Sequence, residues 1–187
     1  MMAVPVSERF ASSSARSDTE IRVRTFKAKG RLLSKLAHDL EFRLEAFELG
    51  FENGKVSMAF QPASLVVEGA VVDGRVRPGL LGARYEAEIT DNVRRRVLLT
   101  DRHPLGRFDG DYVEDGDRVR VEGTLRLLDQ AHPLEFELRL GATSAEGVLE
   151  LQPSRWGIAP FSAMLGALRL EDRVEVFVRI AAVRAGS

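Results

Sequence analysis

The strongest constraint on this chain is a period of two. Leu40, Phe42, Leu44 and Ala46 alternate with Glu41, Arg43 and Glu45. Val119, Val121, Leu125 and Leu127 alternate with Arg118, Arg120, Glu122 and Arg126. Leu134, Phe136, Leu138 and Leu140 alternate with Glu135, Glu137 and Arg139, and Val174, Val176, Val178 and Ile180 form a last run. Successive side chains of an extended backbone point to opposite faces, so each run makes a strand with one apolar and one charged face. Ile21, Val23 and Phe26, spaced by basic residues between Thr19 and Lys29, suit a half-exposed first strand, and Val148 to Leu151 a further short one. Asn53-Gly54 is a tight-hairpin signal ahead of the alternating Val56, Met58 and Phe60; Leu65 to Val67 continues the sheet past Pro62. Asp73-Gly74 and Pro78-Gly79 mark another turn region, and Asp129 to Pro133 reads as a hairpin connection. So many strands joined by short turns predict a mainly β fold, an extended antiparallel β-barrel with one long helix and one or two short ones.

The long helix is predicted between Leu81 and Val97, where Leu81, Tyr85, Ile89, Val93 and Val97 step by four through charged neighbours. One narrow apolar stripe places it on the outside of the sheet or across a barrel mouth, with Pro104 and Gly106 ending it. Leu32, Leu33 and Leu36, in the segment Arg31 to His38, have helical spacing for a turn or two. Phe161, Met164, Leu165 and Leu168, after Pro160, have it again, as a plain packed helix or a mobile apolar lid.

A length of 187 residues suits one domain, read as a polar leader over 1–18, the barrel over 19–183 and a tail over 184–187. Hydrophobic residues at 44% and charged ones at 29% match a water-soluble globule, not a disordered chain. The net charge of -1 gives no global attraction to nucleic acid or anionic lipid. With 0 cysteines there is no disulfide, thiolate metal site or cysteine nucleophile. No window offers the roughly 18 uncharged residues of a membrane-spanning helix. The leader lacks an apolar signal-peptide core, so a cytoplasmic location is expected.

Residues able to do chemistry are few. His38, His103 and His132 lack the spacing of a metal site, and no metal or cofactor is expected. His38 and Asp39 adjoin, but neighbours in a strand face apart, and His38 satisfying a backbone group is the simpler role. His103 and His132 each precede a proline and are expected at the surface. Arg94-Arg95-Arg96 is read as solvated surface on the helix. There is no glycine-rich phosphate loop, P-loop or nucleophile elbow.

Three strings carry a resemblance: Glu122-Gly123-Thr124-Leu125, His132-Pro133-Leu134 and Ser154-Arg155-Trp156-Gly157-Ile158. In that order they resemble the YceI-like family, and Leu32 to Leu40, with Ala37-His38-Asp39-Leu40, looks like its first block. The resemblance runs from Thr19 to Ala182. It implies a lipocalin-like barrel that binds a polyisoprenoid or other long-chain lipid, in a family whose members are often exported.

A barrel of about eight strands is wide enough to be filled by side chains or to hold one slender ligand. The cavity candidates on the inward faces are Phe42, Leu44, Leu125, Leu127, Phe136 and Leu138, with Val176 and Val178 on the last strand. Trp156, Phe161 and Met164 join them from the connecting segments, and His38 and Arg155 are the candidates for a polar head group. The expected partner is a long-chain lipid or isoprenoid, sequestered or carried. The alternatives are an enzyme with His38, Asp39 or Arg155 at the cavity mouth, or a solid barrel with a structural or interaction role.

Overall fold

The computed structural model describes residues 13–14, 19–28, 38–163 and 168–181. The predicted short helix over Arg31 to His38, apart from His38 itself, lies outside them, as do Met164 and Leu165. The strands are β1 (Ser13–Ser14), β2 (Glu20–Lys27), β3 (Asp39–Leu44), β4 (Phe47–Glu52), β5 (Lys55–Phe60), β6 (Leu65–Val72) and β7 (Arg75–Arg77). Helix α1 (Ala83–Asn92) follows, and then β8 (Gly106–Asp115), β9 (Arg118–Leu127), β10 (Gln130–Leu140), β11 (Ser144–Leu151), β12 (Ser162–Ala163) and β13 (Leu168–Ala181). No helix among the described residues is long and apolar enough to cross a membrane.

All the pairings are antiparallel, in the order β1-β4-β5-β8-β9-β10-β11-β13-β2-β3-β6-β7, with β12 beside β13. The two ends of that path are halves of one bent hairpin. β3 and β4 are a single strand broken at Glu45–Ala46, and β5 and β6 another, broken by a 3-10 turn at Pro62–Ser64. Backbone bonds carry the pairing through the corner: Gln61 N–H to Ala46 O at 3.0 Å and Glu45 N–H to Ser64 O at 3.3 Å. The β3–β6 half extends the sheet beyond β2 and the β4–β5 half extends it beyond β8, so the sheet curls round on itself as the lipocalin-like expectation requires.

Turn chemistry follows the sequence at Asn53-Gly54 (φ 49° and 76°) and Asp73-Gly74 (φ 50° and 74°), as tight hairpins demand. The β9–β10 connection differs from the expected Asp129 to Pro133. Only Leu128 and Asp129 form the turn, at φ 48° and 59°, and β10 already runs through His132 and Pro133. Proline fits there because β10 bonds β11 only at its far end, near Arg139 and Leu140, so Pro133 sits where no second neighbour needs an N–H. Gly110 and Gly123 face each other across β8 and β9. A Cβ on Gly123 would come within 2.6 Å of the Phe108 ring and 2.5 Å of Asp109 O, so that ring occupies the room a side chain would need.

The helix begins two residues later than predicted and stops well before Pro104. After Asn92 the chain widens into a π turn over Val93–Val97, with Leu98 N–H bonded to Val93 O at 2.8 Å. Leu99 then takes a left-handed conformation, φ 46°, and Thr100 N–H reaches back to Arg94 O at 2.9 Å. This is a helix stop that glycine usually makes. Leu98, buried beside it, joins the core.

The final strand is longer than its alternating run, starting at Leu168, so Leu168 is not helical. A register shift between Leu170 and Val174, across the charged Glu171-Asp172-Arg173, hides the first half of this strand from a period-two reading. Likewise β11 begins at Ser144, earlier than the expected Val148.

Candidate ligand-binding site

Antiparallel register brings to one end of the barrel the Gly106 end of β8, the Leu127 end of β9, the Gln130 end of β10 and the Leu151 end of β11. The Lys27 end of β2 and the Asp39 end of β3 lie there too. Along the inward rows, burial changes toward this end. Val119 and Val121 are 1% exposed and Leu138 2%, whereas Leu127, Leu134 and Phe136 of the same rows are only half-buried. The opposite end is packed side chain against side chain; this end leaves a cavity of about 630 Å³, in the size range of small-molecule sites.

Of the residues the sequence marked, Phe42 and Leu44 of β3, Leu125 and Leu127 of β9, and Phe136 and Leu138 of β10 line this cavity. Val176 and Val178 of β13 do so too, with Trp156 and Phe161 from the segment between β11 and β13. Met164 lies outside the described residues. The same alternation also held Ile21, Val23, Met58 and Phe60, which complete the wall.

Helix α1 and its π turn link β7 to β8 across the open end. Leu81, Tyr85, Ile89, Val93 and Val97, the predicted stripe, all line the cavity, so of the two expected placements the mouth is the one adopted. A second row beside it, Glu88, Asn92 and Arg96 at spacing of four, also borders the cavity. Thus Arg96 of the basic run is at the mouth. Arg95 pairs with Asp91 at 2.8 Å, and Arg94 is half-buried with an unpaired Nε.

The wall is finished by a 3-10 turn, Pro153–Trp156, closed by Gly157 at φ 74°. Trp156 is 1% exposed, and its indole N–H donates to Leu125 O at 3.0 Å. His132 meets its ring edge-on at 5.3 Å, so His132 is half-buried and not the surface residue expected. Half-buried His103, beside Asp129 at 3.2 Å, also departs from the surface expectation, because the tight turn brings Asp129 to it. Arg155 is exposed, its guanidinium 5.4 Å from the Trp156 ring centre, and it lies outside the cavity lining. Asp172 anchors the turn by accepting from Ser154 N–H at 2.9 Å, from the Ser154 hydroxyl and from Gln152 at 3.0 Å. Partial desolvation pushes the Asp172 pKa up, but these hydrogen bonds and Arg169 together outweigh it and hold the carboxyl below its ordinary value.

His38 lines the cavity, whereas Asp39 accepts the Lys27 backbone N–H at 2.8 Å, so the backbone-satisfying role expected of His38 belongs to Asp39. The structure therefore does not bring His38, Asp39 and Arg155 together. No group of three or more metal-ligating side chains occurs among the described residues. One unforeseen feature is Glu41, on the row facing away from the cavity yet 1% exposed, held by Arg22 at 3.2 Å and by Arg24 at 2.6 and 2.9 Å.

Known proteins agree with this architecture. BcnA of Burkholderia cenocepacia superposes with a TM-score of 0.59 at 15% identity, over 88% of this chain and 96% of that one. A polyisoprenoid binding domain from Saccharophagus degradans gives 0.58 at 13% identity, over 94% and 100%. A mutant of the Campylobacter jejuni YceI protein gives 0.56 at 10% identity, over 76% and 84%. No protein of curated function matches the chain. The model of the YceI-like domain matches residues 10–182, and with a curled antiparallel sheet and an apolar cavity beneath its helix the chain belongs to the YceI-like domain family.

Proposed function

We propose that this protein binds one long-chain apolar ligand, a polyisoprenoid, quinone-like or acyl lipid, in the barrel cavity, and sequesters or carries it. The observation that carries this reading is the inward rows themselves. Leu127, Phe136, Val176 and their neighbours keep part of their apolar surface uncovered by protein, and covering it with a hydrocarbon chain gains about 25 cal/mol per Å². The likeness to a polyisoprenoid binding domain supports the same ligand class. Family membership and the separation of His38, Asp39 and Arg155 favour binding over catalysis.

Trp156 is the single tryptophan and lines the cavity, so its emission serves as the readout. Titration with geranylgeraniol is expected to change that emission saturably at one equivalent. No change with geranylgeraniol or with oleyl alcohol would overturn the reading.

A further inference from the structure

The cavity wall carries a polar anomaly. Thr25 of β2 lines the cavity, and its hydroxyl oxygen is buried with no hydrogen-bond partner. A hydroxyl shut away unpaired destabilises the protein that carries it, so such a group calls for a reason. Thr25 pairs with Leu40 of β3, and His38, two residues before Leu40, lines the cavity on the same face. Diagonal neighbours on one face of an antiparallel pair are about 7–8 Å apart, close enough for one atom between them to meet both side chains. A single rotamer step about χ1 redirects the Thr25 hydroxyl.

Charge narrows what that atom is. On the other side of Thr25 is Val174, its partner on β13, and the register shift just before Val174 places Glu171 in the cavity lining. Among the described residues the charged lining groups are the carboxylates Glu171, which pairs with Arg173 at 3.5 Å, and Glu88, and one guanidinium, Arg96, on the exposed face of the helix end. Among the described residues, a carboxylate or phosphate buried beside Thr25 would meet no buried cation in the lining and would lie near the Glu171 carboxylate.

We infer that the cavity selects lipids with an uncharged oxygen head, an alcohol, carbonyl or amide, seated on Thr25 and His38, with the tail running toward the packed end at Val121 and Ile180. This rests on the lipid-binding reading above and specifies its ligand class. Thr25 and His38 share the donor and acceptor duties, since hydroxyl and imidazole can each do either.

The test uses three probes with one chain, oleyl alcohol, oleate and 9-octadecene, titrated at pH 8 against the wild-type chain, Thr25→Val and Thr25→Ser. The wild type is expected to bind the alcohol at least about tenfold more tightly than oleate. Thr25→Val should cut the alcohol-to-octadecene affinity ratio about three- to tenfold, the worth of one hydrogen bond, and Thr25→Ser should keep it. Thr25→Val should also raise the unfolding temperature of the unliganded protein, because it removes an unpaired buried hydroxyl; that readout establishes that the variant folds. Oleate binding as tightly as the alcohol, or an unchanged ratio in Thr25→Val, would overturn the inference while leaving the cavity a lipid site. Failure of all three probes to bind would instead overturn the lipid-binding reading itself.

Discussion

Trp156 donates its indole N–H to the carbonyl of Leu125 at 3.0 Å, joining the 3-10 turn after β11 to the middle of the sheet. The bond is buried, on the carbonyl of a residue that pairs with His132 in the β9–β10 ladder. Trp156→Phe keeps an aromatic ring and removes this one hydrogen bond, while Leu125 keeps His132 as its ladder partner; the expected cost is about 0.5–1.5 kcal/mol in unfolding free energy, measured by urea denaturation. A cost below about 0.5 kcal/mol would mean that the turn is held by other contacts.

Arg24 and Glu41 make an asymmetric pair: Glu41 is 1% exposed at its side chain and Arg24 19%. Removing the buried member leaves Arg24 and Arg22 with access to water, whereas removing Arg24 takes the closer of two guanidiniums from a buried carboxylate and leaves it only Arg22 at 3.2 Å. Arg24→Ala is therefore expected to cost about 3 kcal/mol, and Glu41→Leu much less. Chemical denaturation of the two variants checks the order; the reverse order would contradict it.

Asp172 makes stability depend on acid. Its folded pKa lies below the unfolded value of 3.8, so its contribution is present above that value and is lost as pH falls through the folded one. Asp172→Asn should lower the denaturation midpoint at pH 7, and the gap from wild type should shrink at pH 3. A gap that is equal at both pH values would show that the anchor does not depend on the charge.

Filling the cavity should separate binding from stability. Val176 sits in mid-wall between Val23 and Leu149, half-buried and in the cavity lining. Val176→Phe extends into space a ligand would use rather than into packed core, so the unfolding temperature should change little while lipid affinity falls at least about tenfold. Unfolding of the variant by more than about 3 kcal/mol would indicate overpacking and a narrower cavity than described.

How much of this was legible in the sequence depends on how regular each element is. β3, β9 and most of β10 carry unbroken alternation, so both their existence and their inward faces could be read directly. The stripe from Leu81 to Val97 gave the helix and its placement at the mouth as one of two options. Three things were hidden. The turn at Leu128-Asp129 uses positive φ without glycine or asparagine, so the pattern marks a connection over Asp129 to Pro133 but not the tight two-residue turn that makes it. The first half of β13 contains the register shift at Glu171-Asp172-Arg173, which breaks the period. Glu41 occupies an outward position by pattern, and only the arginines gathered over it on β2 bury it.

The polar side of the site was the least legible part. Arg155 drew attention because it adjoins Trp156, but the 3-10 turn that buries the indole leaves the guanidinium outside, over the ring. Thr25 stood among basic residues of a half-exposed strand, with nothing in the local pattern to show an unpaired hydroxyl. Glu88, Asn92 and Arg96 did share the helical spacing of the apolar stripe next to them, and that spacing was the one available signal.

Whether the cavity holds a lipid is decided by native mass spectrometry of the freshly purified protein and of Val176→Phe, each incubated with geranylgeraniol, followed by solvent extraction. One long-chain lipid per wild-type chain, copurified or added, is expected, and little or none on the variant. A wild-type protein that remains bare under both conditions would contradict the lipid-binding reading.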